Sequence, residues 1–202
     1  MSMKILAVVG SKRKNGNTAA LIEKTLSAFQ NSEDFSVETL FLGEMNFVGC
    51  NGCEGCSKSN QCVIKDDMQR AYILLREADA VIIGSPTYFY NVSSDMKKFI
   101  DRCYCFTNYM PGNRSVWTSE FDSGPRKFAG YISICEQNNV DDMGFTPQVL
   151  QKTFESLGFR TVFNQKVLHC FKAGEVNSKS EPLDSAEANG VSLRETMLLQ
   201  GK

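Results

Sequence analysis

The chain has 202 residues, 42% of them apolar and 22% charged, the proportions of a globular chain long enough to bury a core. Its 22 basic and 23 acidic residues leave a net charge of −1, which gives no field to attract nucleic acid or anionic lipid. No apolar run approaches the ~20 residues that span a bilayer, so neither nucleic acid nor membrane is expected as a partner.

The first predicted element is a strand. Ile5-Leu-Ala-Val-Val9 is a continuous apolar run stopped by Gly10, as a central parallel strand covered on both faces requires. The apolar start is too short for a signal peptide and no small-residue cleavage site follows it, so a cytoplasmic setting is expected. Thiols stay reduced there, and clustered cysteines are more often ligands than disulfides. Leu21, Ile22, Leu26 and Phe29 recur at helical spacing and predict a helix over 18–30, and 35–42 alternates in part as a second strand.

A cysteine-rich loop at 47–65 follows, in which Cys50, Cys53, Cys56 and Cys62 are spaced C-x2-C-x2-C-x5-C. Asp66-Asp-Met-Gln69 reads as a capping box opening a helix with Met68, Ala71, Tyr72 and Leu75 on one side. Ala80-Val-Ile-Ile-Gly84 is the third strand. Ser93 or Ser94 caps a helix carrying Met96, Phe99, Ile100, Cys103 and Tyr104. Residues 105–126, rich in Gly, Pro, Ser and Asn, read as a long excursion. Residues 127–135 form the fourth strand, 147–157 a helix and 161–170 the fifth strand. A polar tail begins at about 171, with a weak amphipathic pattern over 184–199.

Five strands separated by helices predict an α/β fold, a doubly wound (flavodoxin-like) five-stranded parallel sheet in the order 2-1-3-4-5 with helices on both faces. One domain is expected over 1–202. Ligands of such sheets sit beyond the carboxyl ends of the strands, at the switch point between strands one and three.

Two loops occupy that point. After strand one, Gly10-Ser-Lys-Arg-Lys-Asn-Gly-Asn-Thr18 places a hydroxyl, amides, a glycine and basic residues at a helix start. Free N–H groups and the positive helix end suit a phosphate, although Asn17 or Thr18 as a plain helix cap fits the pattern equally. A Walker A loop is excluded, since Gly10 and Gly16 are one residue too far apart and Asn17 stands where its lysine belongs. A G-x-G-x-x-G fingerprint is missing too. After strand three, Gly84-Ser-Pro-Thr-Tyr-Phe-Tyr-Asn91 offers a loop stiffened by Pro86, hydrogen bonds from Thr87 and Asn91, and the flat faces of Tyr88, Phe89 and Tyr90. A planar heteroaromatic ring could lie against them.

Ser11-x-Arg13-x-x-Gly16-Asn17-Thr18 resembles the phosphate loop of the flavodoxin-like NAD(P)H-dependent FMN reductases. So do Gly84-Ser-Pro-Thr-Tyr-Phe-Tyr90 and Val92-Ser-x-x-Met96-Lys97-x-Phe99-x-Asp101-Arg102. With the four cysteines running into Ile64-Lys-Asp-Asp-Met68, the chain is most similar to the iron–sulfur flavoprotein branch. The resemblance implies FMN, its phosphate on Ser11, Arg13, Asn15, Gly16, Asn17 and Thr18 and its ring against Pro86, Thr87, Tyr88 and Phe89, with Asn91 nearby. It implies a homodimer or homotetramer with the flavin near a subunit interface. The third flavin loop, glycine-rich in many relatives, reads Cys135-Glu-Gln-Asn-Asn139 here, which leaves that side of the ring unassigned.

A C-x2-C-x2-C run is typical of [4Fe–4S] binding, with Cys50, Cys53, Cys56 and Cys62 as ligands. A four-cysteine zinc site or a loop of plain reduced thiols stays open as an alternative. Cys103, Cys105, Cys135 and Cys170 read as small buried residues, and His169 receives no role. The expected function is a flavin-dependent oxidoreductase passing electrons between the cluster and FMN, with ferredoxin or NAD(P)H as donor and a small-molecule acceptor. Because cofactors carry such chemistry, no acid–base triad is expected. The alternatives are a cluster-free NAD(P)H-dependent FMN, quinone or nitro reductase, and a non-enzymatic zinc-binding module.

Overall fold

The computed structural model describes residues 2–30 and 32–200; Met1, Asn31, Gly201 and Lys202, and with them both ends of the expected 1–202 span, lie outside. In chain order the elements are β1 (Met3–Val9), α1 (Asn17–Leu26), β2 (Phe35–Phe41), α2 (Met68–Glu77), β3 (Ala80–Tyr88), β4 (Asn91–Val92), α3 (Ser94–Arg102), β5 (Thr107–Met110), β6 (Asn113–Ser119), β7 (Lys127–Ile134), α4 (Thr146–Ser156), β8 (Phe159–Val167) and α5 (Ser180–Gln200).

The central sheet has the order β2-β1-β3-β7-β8 with every neighbouring pair parallel, which is the expected doubly wound arrangement. Side chains alternate across a strand, so a continuous apolar run feeds two cores at once. Leu6, Val8, Val81 and Ile83 pack with Met68, Leu75, Phe99 and Phe154 of α2, α3 and α4. Ile5, Ala7, Val9, Ala80 and Ile82 pack on the opposite face with Leu21 and Ile22 of α1 and Leu193 and Met197 of α5.

Three sequence expectations are corrected and one is sharpened. The polar tail from about 171, where a weak amphipathic pattern was expected over 184–199, contains the 21-residue α5. Its buried stripe is Pro182, Ala186, Gly190, Leu193 and Met197, and a Cβ at Gly190 would meet the Thr25 carbonyl at 2.1 Å, so only glycine lets α5 lie against α1. The third strand does not stop at Gly84 but runs to Tyr88, and the chain turns back as β4, pairing Thr87 with Val92 and Tyr88 with Asn91. The 105–126 excursion holds an antiparallel hairpin, β5–β6. The capping box at the start of α2 does not form. The Asp66 Oδ1 accepts from the Met68 amide at 3.2 Å, while the Gln69 side chain donates to the carbonyls of Cys62 and Ile64 at 3.1 and 2.6 Å. Ser93 does cap α3 as expected, accepting from the Met96 amide at 3.2 Å.

Candidate functional site

The ends of β1 and β3 are drawn together by a bond from the Gly10 amide to the Gly84 carbonyl at 2.8 Å, and the Ser93 hydroxyl donates to the Gly10 carbonyl. This fixes the switch point expected from the topology. From there residues 11–16 curl into α1. The Ser11 Oγ accepts from the Arg13 amide at 3.1 Å, and the Gly16 amide bonds the Arg13 carbonyl at 3.0 Å. The turn is tight enough that a Cβ at Gly16 would approach that carbonyl to 2.9 Å. The first amides of α1 have no acceptor within the helix, and they face this curl at its positive end.

The Asn17 side chain is spent inside the protein. It donates to the Lys172 carbonyl at 3.0 Å and accepts from the Val176 amide at 3.1 Å. Arg13 reaches the same segment, donating to the Phe171 carbonyl at 2.8 Å, with its guanidinium 5.8 Å from the Phe171 ring centre. Residues 171–176 are thereby strapped across the start of α1.

On the other side stands the end of β3. The cleft between, about 110 Å³, is lined by Ser11, Arg13, Gly16, Asn17, Thr18, Pro86, Thr87 and Tyr88, together with Ile134, Glu136, Cys170 and Phe171. The Thr87 Oγ1 is buried without a hydrogen-bond partner. Of the residues singled out from the sequence, Asn15, Phe89, Tyr90 and Asn91 do not line the cleft. Asn15 lies in a neighbouring depression, and the Asn91 side chain accepts from the Val92 amide at 2.9 Å. Phe89 is 95% exposed. Phe89 and Tyr90 form the two-residue turn between β3 and β4, both left-handed with φ of 48° and 66°. Two-residue hairpins favour such turns, but normally with Asn and Gly, so this one stores strain while presenting two aromatic rings. Ile134, Cys170 and Phe171 were missed, and Glu136 comes from the third flavin loop that was left unassigned. The signal for them was topological: the carboxyl ends of the fourth and fifth parallel strands converge on the same cleft.

The four cysteines of the 47–65 loop line a second, larger cavity of about 690 Å³ together with Ile100, Cys103, Tyr104, Tyr109, Arg114, Trp117 and Leu157. All eight cysteines are free thiols. Cys50 and Cys53 are exposed, Cys56 is half-buried and Cys62 is buried. Burial first, and then the nearness of Cys62, Cys50 and Cys53, pushes the Cys56 thiol above its ordinary value. Cys103, Cys105, Cys135 and Cys170 are buried, and burial drives Cys105 up to about 12. Trp117 and its neighbours therefore wall the cysteine cavity, not the β1–β3 cleft. Among the described residues, no three Cys, His, Asp or Glu side chains are close enough to hold a single metal ion.

The base of the cysteine coil is anchored by one buried ion pair. Arg102, with its side chain 1% exposed, donates to Asp66 Oδ2 at 2.7 Å and Oδ1 at 3.0 Å, to the Val48 carbonyl at 2.8 Å and to the Tyr72 hydroxyl at 3.0 Å. Asp66 in turn accepts from the Val48 amide at 3.1 Å. Burial raises the Asp66 carboxyl, but the guanidinium and the two amides outweigh it and hold it below the usual carboxylate range. Both ends of the loop are thus tied to the C-terminus of α3. Further along, Arg76 donates to the Asn60 carbonyl at 2.6 Å.

Comparison with known proteins agrees with this architecture. A family profile described as NADPH-dependent FMN reductase matches residues 3–119. An iron-sulfur flavoprotein of Archaeoglobus fulgidus is 40% identical over 140 residues, covering 65% of this chain and 61% of that protein. One of Clostridioides difficile is 32% identical over 168 residues, covering 81% and 70%. The chain thus spans 61% of the first of these relatives, and only 51% of a third, from Methanocaldococcus jannaschii. A flavodoxin from the domain Archaea superposes with a TM-score of 0.57 at 18% identity over 96% of this chain and 99% of that one, which is likeness of fold alone. The chain belongs to the NADPH-dependent FMN reductase family, in its iron–sulfur flavoprotein branch.

Proposed function

We propose that this chain is an FMN-dependent oxidoreductase whose Cys50, Cys53, Cys56 and Cys62 hold a [4Fe–4S] cluster. The observation that carries the flavin reading is the cleft at the β1–β3 switch point, which joins the curl at the amide end of α1 to the Pro86–Tyr88 segment of β3. Its residues fit FMN. The Ser11 hydroxyl and the first amides of α1 would hold the phosphate, the Asn17 side chain serving to brace the loop from behind. Pro86, Thr87 and Tyr88 would border the ring, and the unpartnered Thr87 Oγ1 gives it a hydrogen-bonding neighbour. Arg13 and Phe171, in contact with each other, also line the cleft. FMN bound there supplies one- and two-electron chemistry; the chain's own residues bind, orient and shield.

For the cysteines, the donor set is four thiols, the usual ligands of a [4Fe–4S] cluster. A lone zinc ion, with Zn–S bonds of ≈ 2.3 Å, needs its thiolates about 3.8 Å apart. The four cysteines line one cavity of about 690 Å³, and a multi-iron body, which holds its thiolates farther apart, is the reading we favour there. Reduced ferredoxin or NAD(P)H is the proposed donor, a small molecule the acceptor, and a homodimer or homotetramer the assembly. The eight free thiols suit a reducing, cytoplasmic setting.

Anaerobic purification followed by flavin, iron and sulfide analysis tests the reading. One FMN per chain, with iron and sulfide in the ratio of a [4Fe–4S] cluster that is lost in Cys53→Ser, is the expected result. Yellow, iron-free protein that turns over NAD(P)H selects the cluster-free reductase. Colourless protein that does not take up FMN ends the proposal.

A further inference from the structure

Glu54 lies inside the cysteine motif, between Cys53 and Gly55, and its backbone is left-handed with φ of 57°. A glutamate rarely takes that conformation unless its surroundings impose it. Here the carboxylate is gripped from across the cavity by the β5–β6 hairpin and the residue end that precedes it. Arg114 Nη1 donates to Oε2 at 3.2 Å, Arg114 Nη2 to Oε1 at 3.2 Å and Oε2 at 3.3 Å, and the Tyr104 hydroxyl to Oε1 at 3.0 Å. The guanidinium is itself held in place, 2.6 Å from the Tyr104 hydroxyl and 4.4 Å from the Tyr109 ring centre. Among the described residues, every hydrogen bond tying residues 50–55 to another secondary-structure element ends on the Glu54 carboxylate.

Arg114 and Glu54 are 61% and 44% exposed in their side chains, so the pair does little for global stability. Its effect is local, because the buried Asp66–Arg102 anchor holds only the base of the loop. We propose that Arg114 is a positioning residue for the cysteine coil: together with Tyr104 it fixes the chain through Glu54 between Cys53 and Cys56, and it neutralises the carboxylate that Glu54 places beside the bound cluster. This rests on the cluster reading above, and two of its consequences separate. The coil path is a property of the protein with or without iron. The charge is felt only by a cluster, whose potential responds to net charge and hydrogen bonding around it.

The test uses the full chain as wild type, Arg114→Ala, Arg114→Lys and Glu54→Gln. In the metal-free protein, alkylation of Cys50 and Cys53 by iodoacetamide, followed by peptide mass spectrometry, is expected to be several-fold faster in Arg114→Ala, with thermal unfolding unchanged. In the anaerobic holoprotein, a redox titration followed by electron paramagnetic resonance reads the cluster. Arg114→Ala, which leaves Glu54 uncompensated, shifts the potential down; Glu54→Gln, which leaves Arg114 uncompensated, shifts it up; Arg114→Lys, which keeps the charge, stays near wild type. Equal alkylation rates in wild type and Arg114→Ala overturn the positioning role. Shifts of the same sign in Arg114→Ala and Glu54→Gln, or no shift in either, overturn the charge role. Protein without iron whose alkylation still accelerates in Arg114→Ala upholds the positioning role and removes the cluster reading alone.

Discussion

Replacing Arg102 with Met should loosen the molecule at the root of the cysteine coil. Arg102 makes four hydrogen bonds from a side chain 1% exposed, and its partner Asp66 is 12% exposed, so water screens the pair little. Methionine fills much of the volume but leaves the Asp66 carboxylate and the Val48 carbonyl without their cation. Removing one partner of a buried pair costs about 3–5 kcal/mol. At ~2–4 °C per kcal/mol for a chain of this size, the unfolding midpoint should fall by roughly 6–20 °C. Equilibrium urea denaturation followed by circular dichroism measures the first figure and a thermal scan the second. The pH dependence gives an independent check. Because folding depresses the Asp66 carboxyl, the stability it lends is complete above the ordinary carboxylate range and is lost as pH falls through the depressed value. Arg102→Met should therefore show a shallower loss of stability below about pH 4 than wild type. Asp66→Asn combined with Arg102→Met should cost less than the two single changes summed, since each single change strands the other partner. A loss under about 1 kcal/mol in Arg102→Met, or full additivity in the double variant, would refute the reasoning.

Ser11→Asp puts a negative charge into the curl before α1; titration of flavin-free protein with FMN should show at least about tenfold weaker binding, equivalent to ~1.4 kcal/mol, and unaltered affinity would move the phosphate elsewhere. Phe89→Asn with Tyr90→Gly replaces two strained left-handed residues by the pair this turn favours, and should raise stability by about 1–2 kcal/mol; a fall in the denaturation midpoint would mean that the rings pack within the protein. Gly190→Ala gains about 0.5–1 kcal/mol of helix propensity but drives a methyl group toward the Thr25 carbonyl, so a net loss of about 1–3 kcal/mol is expected, and a stabilised variant would show that α5 can shift freely.

The parallel sheet was legible because Ile5–Val9 of β1 and Ala80–Ile83 of β3 are apolar without interruption, and only a strand covered on both faces tolerates that. The helix α5 showed only as a weak amphipathic pattern because its inward stripe is built from Pro182, Ala186 and Gly190 before it reaches Leu193 and Met197. Small residues carry little hydrophobic signal, yet they are what a close helix–helix approach demands. The β3–β4 hairpin was hidden for the opposite reason. Its turn contains Phe89 and Tyr90, with none of the glycine or asparagine that announces left-handed backbone, and local propensity pointed away from what the fold imposes.

The candidate site divides along the same physical line. Residues that act through backbone placement after β1 and β3 could be found from topology alone, and most of them do meet in one cleft. Asn17 could not be judged, because its amide bonds residues 172 and 176, more than 150 positions away, and that segment reads as loop. The four cysteines announced themselves by spacing, but what holds them did not. Arg102 reads as one more charge on a helix and Asp66 as half of a capping box, and the two become a buried clamp only when α3 is laid beside the loop. Arg114, on a hairpin the sequence shows as an irregular excursion, reaches back 60 residues to Glu54. The proposed ligands are written locally, in the spacing of cysteines. Ligand position is written in long-range pairs of opposite charge, which no window of sequence contains.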